Sequence, residues 1–179
     1  MNRLTASLAE ICNRHMLAEK WLVAPSRRVG QQWLEAVTRS GQSVVNVRIK
    51  TLTSLAIDLV AEQMVARGVT LLSSHGGEIL IKNIIRRLQA DELGYLKHLE
   101  PSAGLAEAVY ASVFSIRQAG LDIESLDTQC FEVASKGRDL RVILNAYLAE
   151  LEALQIIDDA ELLRMAIARI SRDANCLPN

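Results

Sequence analysis

Apolar positions along this chain follow two periods, and the period changes with position. Over residues 3–18 Leu4, Leu8, Ile11 and, next in the series, His15 recur three and four apart, which predicts an amphipathic helix. Trp21 to Ala24 is a short apolar run closed by Pro25 and predicts a buried strand. Helical spacing returns over 27–39 through Val29, Trp33, Leu34 and Val37, and Ser40-Gly41-Gln42-Ser43 ends it with turn residues. Val44 to Ile49 is β-rich, with residues 45, 47 and 49 apolar on one face. Leu52 to Ala66 is helical again, and Arg67-Gly68 reads as its C-terminal cap.

From Ser74 onward the pattern is helical only. Helices are expected at about 76–90, at about 102–119 (opened by Pro101 and ended at Gly120), at about 137–154 and at about 159–172. Asp122 to Gln129 reads as a short helical or turn piece. The chain therefore divides near residue 73 into an α/β part, 1–73, and a helical part, 74–179. In the α/β part the order helix, strand, helix, strand, helix implies parallel strands joined by a right-handed crossover. Two strands are too few for a whole sheet, so either segments beyond residue 179 complete it or helices carry the stability.

Composition narrows this picture. The chain has 179 residues, half of them hydrophobic but only 4% aromatic, which favours a core of Leu, Ile, Val and Ala and a helix-dominated α/β class. The net charge of −1 argues against gripping nucleic acid over the whole surface and leaves room for a local basic strip. Arg27, Arg28, Arg39, Arg48 and Lys50 all fall in the α/β part. Cys12, Cys130 and Cys176 form no C-x-x-C pair and read as reduced thiols, consistent with a cytoplasmic location. No apolar run approaches the roughly 18 residues of a membrane span, and the charged N-terminus does not read as a signal peptide.

The two strand-to-helix junctions carry the candidate chemistry. An apolar strand that ends in a Ser/Thr/Arg-rich turn directs backbone N–H groups and polar side chains above the sheet's carboxyl edge, where ligands of α/β sheets bind. Ser26, Arg27 and Arg28 at the first junction, and Lys50, Thr51 and Thr53 at the second, are the candidate nucleic-acid-binding residues. Each set has a plain alternative: Ser26, Thr51 or Thr53 capping the following helix, with the arginines simply solvated.

At this point the order of motifs resembles a known family. Leu22-Val23-Ala24-Pro25-Ser26-Arg27-Arg28 is similar to the second helicase motif of superfamily 1 enzymes, as found in the B subunit of AddAB-type ATP-dependent helicase–nucleases. Thr51-Leu52-Thr53-Ser54-Leu55-Ala56 is similar to the Thr-Phe-His-x-Leu-Ala motif that follows it. Ile116-Arg117-Gln118-Ala119-Gly120-Leu121, then Asp139-Leu140 through Tyr147 and Leu151, then Ile157-Asp158-Asp159-Ala160-Glu161-Leu162-Leu163, follow the order of that family's helical insertion. The resemblance implies a partial parallel sheet of a P-loop helicase-like domain plus an all-helical subdomain. It also implies a DNA-repair and recombination role beside single-stranded or unwinding DNA and a helicase motor subunit.

The departures are informative. Where active members carry G-x-x-G-x-G-K-[ST], residues 1–20 contain no glycine, so successive free N–H groups and a phosphate Lys are not assembled. Leu52 stands where the family has an aromatic, which removes a base-stacking platform. The acidic Mg²⁺ motif and the nuclease would lie past Asn179, so the chain reads as the non-catalytic N-terminal fragment of a longer subunit, with no cofactor expected in it.

Other residues read as structural. Trp33 belongs to a core face and Trp21 to a core lid. His15, His75 and His98 are scattered, and His75-Gly76-Gly77-Glu78 reads as a loop capping the next helix. Asp158-Asp159 open a helix, where acids complement the dipole. Cys12 and His15 share a helix face that reads as core, so no nucleophile is assigned. No Ser-His-Asp set and no metal-ligand spacing is present, which leaves a small α/β enzyme without a complete active site. The competing class is a helical protein–protein adaptor with no DNA binding, its apolar helices from 76 to 172 presenting a groove.

Overall fold

The computed structural model describes residues 3–88, 92–100, 102–121, 123, 126, 131–173 and 176. Among these the chain is mostly helical, with seven α-helices and two small parallel sheets. By packing it divides into two compact units, Met1–Glu62 with Leu163–Asn179, and Gln63–Leu162.

The first unit opens with α1 (Arg3–Arg14), which runs to 14 rather than 18. The Lys20 ammonium ties down the turn that follows, donating to the carbonyls of His15 at 2.6 Å and Ala18 at 2.7 Å. The helix buries Thr5, Ala9 and Cys12, whereas Leu4 and Ile11 of the expected core face stand 44% and 49% exposed. Small side chains let α1 approach α2 closely, and the large ones line an open groove with Leu22. His15 is exposed and Cys12 is a buried free thiol.

β1 (Lys20–Val23) pairs in parallel with β2 (Val47–Lys50), Trp21 opposite Arg48 and Val23 opposite Lys50. The strand starts at 47 rather than 44 because Asn46 adopts φ +54° and fastens its side-chain amide to Leu17 O at 2.8 Å. Between the strands runs α2 (Arg27–Arg39), followed by Gly41 at φ +81°. Gly30 is the contact point of α2 with the sheet: a Cβ there would sit 2.5 Å from Ile49 Cγ2 and 3.2 Å from Ala24 Cβ. Trp33 is half-buried on the same helix. After β2 comes α3 (Leu52–Arg67), closed by a Schellman turn in which Gly68, at φ +65°, donates to Val65 O and Val69 donates to Met64 O, both at 3.0 Å.

The second unit is a helical core with one pair of strands. α4 (Gly76–Arg87), α5 (Ala103–Gln118) and α6 (Ala134–Ala153) close on a cluster that includes Ile81, Ile84, Val113, Ile143, Leu144 and Tyr147. A side chain at Gly77 would run into the Tyr110 ring, so the glycine sets the spacing of α4 and α5. β3 (Thr70–Leu71) pairs in parallel with β4 (Ile156–Ile157), so the region after residue 74 is not purely helical and the change of pattern near 73 lies inside this unit. A strand of two residues leaves no readable alternation. α7 (Asp159–Arg172) follows β4 directly. α4 stops at 87 where Leu88 turns extended, and Pro101, Cys130 and most of the 122–129 piece lie outside the described residues. No helix among the described residues is long and apolar enough to cross a membrane.

Candidate nucleic-acid interface

Parallel pairing places both junctions at one edge of the β1–β2 sheet. Ala24 N–H donates to Lys50 O at 2.9 Å, continuing the ladder past Val23, so Ala24 and Thr51 leave the sheet side by side. Ser26 is the N-cap of α2: its backbone is extended (φ −149°, ψ 159°) and its Oγ accepts from Val29 N at 3.3 Å. Thr51 caps α3 through a reciprocal box, Oγ1 accepting from Ser54 N at 3.1 Å while Ser54 Oγ accepts from Thr51 N at 2.8 Å. The capping roles open to these residues in the sequence are therefore both occupied. A capping hydroxyl retains a second lone pair, so the cap does not exclude a phosphate.

Arg27 and Arg28 occupy the first turn of α2, exposed and, among the described residues, without a carboxylate partner. Neither α2 nor α3 has an acidic residue in its first turn. The positive end of a helix dipole disfavours cations, so two arginines there are local electrostatic cost without a local partner. Thr53 is half-buried in the first turn of α3, and Leu52 beside it is 58% exposed. Lys50 does not join them. Its ammonium pairs with the Asp58 carboxylate and lies 5.3 Å from the centre of the Trp21 ring. Arg48 pairs with Glu19 at 3.1 Å. The strip thus contracts to Ser26, Arg27, Arg28, Thr51 and Thr53. Trp21 is half-buried, its indole N–H on Glu19 at 2.8 Å.

Two carboxylates in the second unit are buried, and although Asp158 was expected to open a helix, their side-chain partners were not expected. Asp158 caps α7, accepting from Glu161 N at 2.9 Å, and also takes Arg117 Nε at 2.9 Å and Nη2 at 2.8 Å as a bidentate pair. Both side chains are buried, at 8% and 5% exposure. Burial pulls the Arg117 guanidinium down, and the hydrogen bond and charge of Asp158 outweigh it, holding it above its ordinary value. Asp159 is raised, first by burial and then by Asp158. Asp139, 2% exposed, accepts backbone N–H from Gly94, Tyr95 and Leu96 at 2.7–2.8 Å and so fixes the turn before a short 3₁₀ segment, Leu96–His98. Its signal was an acid four residues before Ile143 on an apolar face.

His75 stands at the N-cap of α4 but its side chain makes no capping bond. Among the described residues no group of three or more His, Cys, Asp or Glu side chains is arranged to hold a metal ion. No protein-family model and no curated protein sequence matches the chain.

Proposed function

We propose that this chain is a non-catalytic, helicase-like part of a DNA-repair helicase–nuclease subunit, and that it contributes single-stranded DNA contacts and a docking surface for a motor subunit. The observation that carries the reading is the shared sheet edge: two parallel strands deliver Ser26-Arg27-Arg28 and Thr51–Thr53 side by side, at two capped helix starts free of acid. Backbone amides, hydroxyls and guanidiniums are the groups that meet phosphates. α1, without glycine, precedes the first strand where the resembling family places its nucleotide loop.

Fluorescence anisotropy with single-stranded DNA over a salt series tests it. Wild type is expected to bind with affinity falling steeply as salt rises, and Arg27→Glu/Arg28→Glu to abolish that binding. Unchanged binding in the double variant sinks the DNA path, and ATP hydrolysis by the purified chain sinks its non-catalytic character.

The competing reading is a helical adaptor whose apolar helices from 76 to 172 present a groove to a protein partner and which makes no use of the strip. An adaptor tolerates charge reversal at 27 and 28, so the same double variant separates the two.

A further inference from the structure

The β1–β2 sheet has a bare edge. Lys20 N–H and Ala24 N–H donate to Asn46 O and Lys50 O, so along β1 the even-numbered residues bond to β2. Trp21 and Val23 turn their backbone N–H and C=O to the other side, where neither has a partner among the described residues. Such an edge is a template for another strand. Val23 is 47% exposed, so solvent reaches it. An apolar groove of about 570 Å³ meets the same strand, lined by Leu22 of β1 and by Arg3, Leu4, Ser7, Leu8 and Ile11 of α1. α1 packs on α2 and reaches the sheet through Leu22, so it lies on the β1 side, next to the bare edge.

We propose that the edge and the groove pair with a second copy of this chain, about a two-fold axis that passes by Leu22 normal to the sheet. The hydrogen-bond pattern fits that operation. Trp21 of one copy faces Val23 of the other, an antiparallel pair that exchanges both N–H···O bonds, and the symmetric pair repeats it. No backbone group of Trp21 or Val23 is then left over. The same axis sets the two α1 helices antiparallel on one side of the extended sheet. Their apolar stripe reads alike in both directions. Leu4 meets Ile11 of the second copy and Leu8 meets Leu8, which covers Leu4 and Ile11, 44% and 49% exposed in the single chain. Charge fits as well. Arg3 lines the groove with no carboxylate partner among the described residues, and the register carries it toward Glu10 of the second copy. Glu10 holds Arg14 in an exposed i,i+4 pair, which is worth little and exchanges readily. A four-residue edge and a 12-residue helix bury less than the roughly 1,200 Å² of a stable complex, which sets the dissociation constant on the order of 10–100 µM.

Sedimentation velocity over a concentration series up to about 500 µM, several times the expected dissociation constant, is the test. The expected result is a monomer–dimer equilibrium that Val23→Pro weakens about tenfold or more, since proline removes an outward N–H that the β1–β2 pairing does not use. Arg3→Glu weakens it about threefold or more, and Arg3→Glu/Glu10→Arg restores it. Leu8→Lys sets two ammonium groups against each other at the axis and decides the matter if Val23→Pro does not fold. A chain that stays monomeric throughout overturns the assignment and leaves the edge to the strand of another protein. A dimer whose affinity is unchanged in the folded Val23→Pro or Leu8→Lys variant, or that the charge swap does not restore, overturns it equally.

Discussion

Asp158 receives three hydrogen bonds, two from Arg117 and one from the Glu161 amide, and with Arg117 forms a buried ion pair. Removing one partner of such a pair strands the other charge, a cost of about 3–5 kcal/mol. Asp158→Ala is expected to lose that much unfolding free energy in urea. Arg117→Met with Asp158→Leu is expected to recover most of it, short by about 1 kcal/mol for the lost cap. Tyr147 is the second residue whose environment makes a prediction. Its phenol is 1% exposed and is pushed well above its ordinary 10.0, first by burial and next by the Asp158 charge. The neutral form is favoured in the fold, so its contribution is fully present below about pH 10 and is lost as pH climbs beyond it, because the unfolded chain ionises first. Tyr147→Phe is expected to reduce that alkaline slope in denaturation followed between pH 9 and 11, with the half-buried Tyr110, also raised, carrying the remainder, and an unchanged slope assigns it to other groups.

At the scale of elements, two glycines do opposite things to what helix propensity asks. Gly30 and Gly77 sit inside α2 and α4, where alanine ordinarily stabilises a helix by roughly 0.5–1 kcal/mol. Here the added methyl meets Ile49 and Ala24 in one case and the Tyr110 ring in the other. Gly30→Ala and Gly77→Ala are therefore expected to destabilise by about 1–3 kcal/mol, read as a lower urea midpoint at unchanged slope. The junction caps separate structure from binding in the same way. Thr51→Ala breaks one arm of the box with Ser54 and should cost about 0.5–2 kcal/mol. Arg27→Glu places an acid in the first turn of α2 and should leave stability unchanged or slightly raised. A binding loss in Arg27→Glu at full stability is then a contact effect.

Over the whole molecule, local signals were legible and distant ones were not. The limits of α2 and α7, the glycines after α3 and α5 and the buried face of α6 follow from spacing within a dozen residues, and the parallel order of β1 and β2 from the sequence of elements. Arg117 with Asp158, and Asp139 with Gly94, join residues more than 40 positions apart, and no periodicity names their partners. α1 misled because burial there is set by close approach to α2, which selects Ala9 and Cys12 over Leu4 and Ile11. The candidate DNA site divides along the same line. Its position at the strand ends was readable, whereas the diversion of Lys50 to Asp58 and Trp21 was not. That diversion sets the last prediction. With a net charge of −1 there is no general attraction for DNA, so the salt slope counts only the cations left at the edge. Each phosphate neutralised contributes about −0.7 to the slope of log affinity against log salt for single strands. Arg27→Gln/Arg28→Gln should flatten the slope by about 1.4, and Lys50→Gln should leave it unchanged. A drop of about 0.7 for Lys50→Gln instead means that Lys50 leaves Asp58 when DNA binds, returning it to the interface.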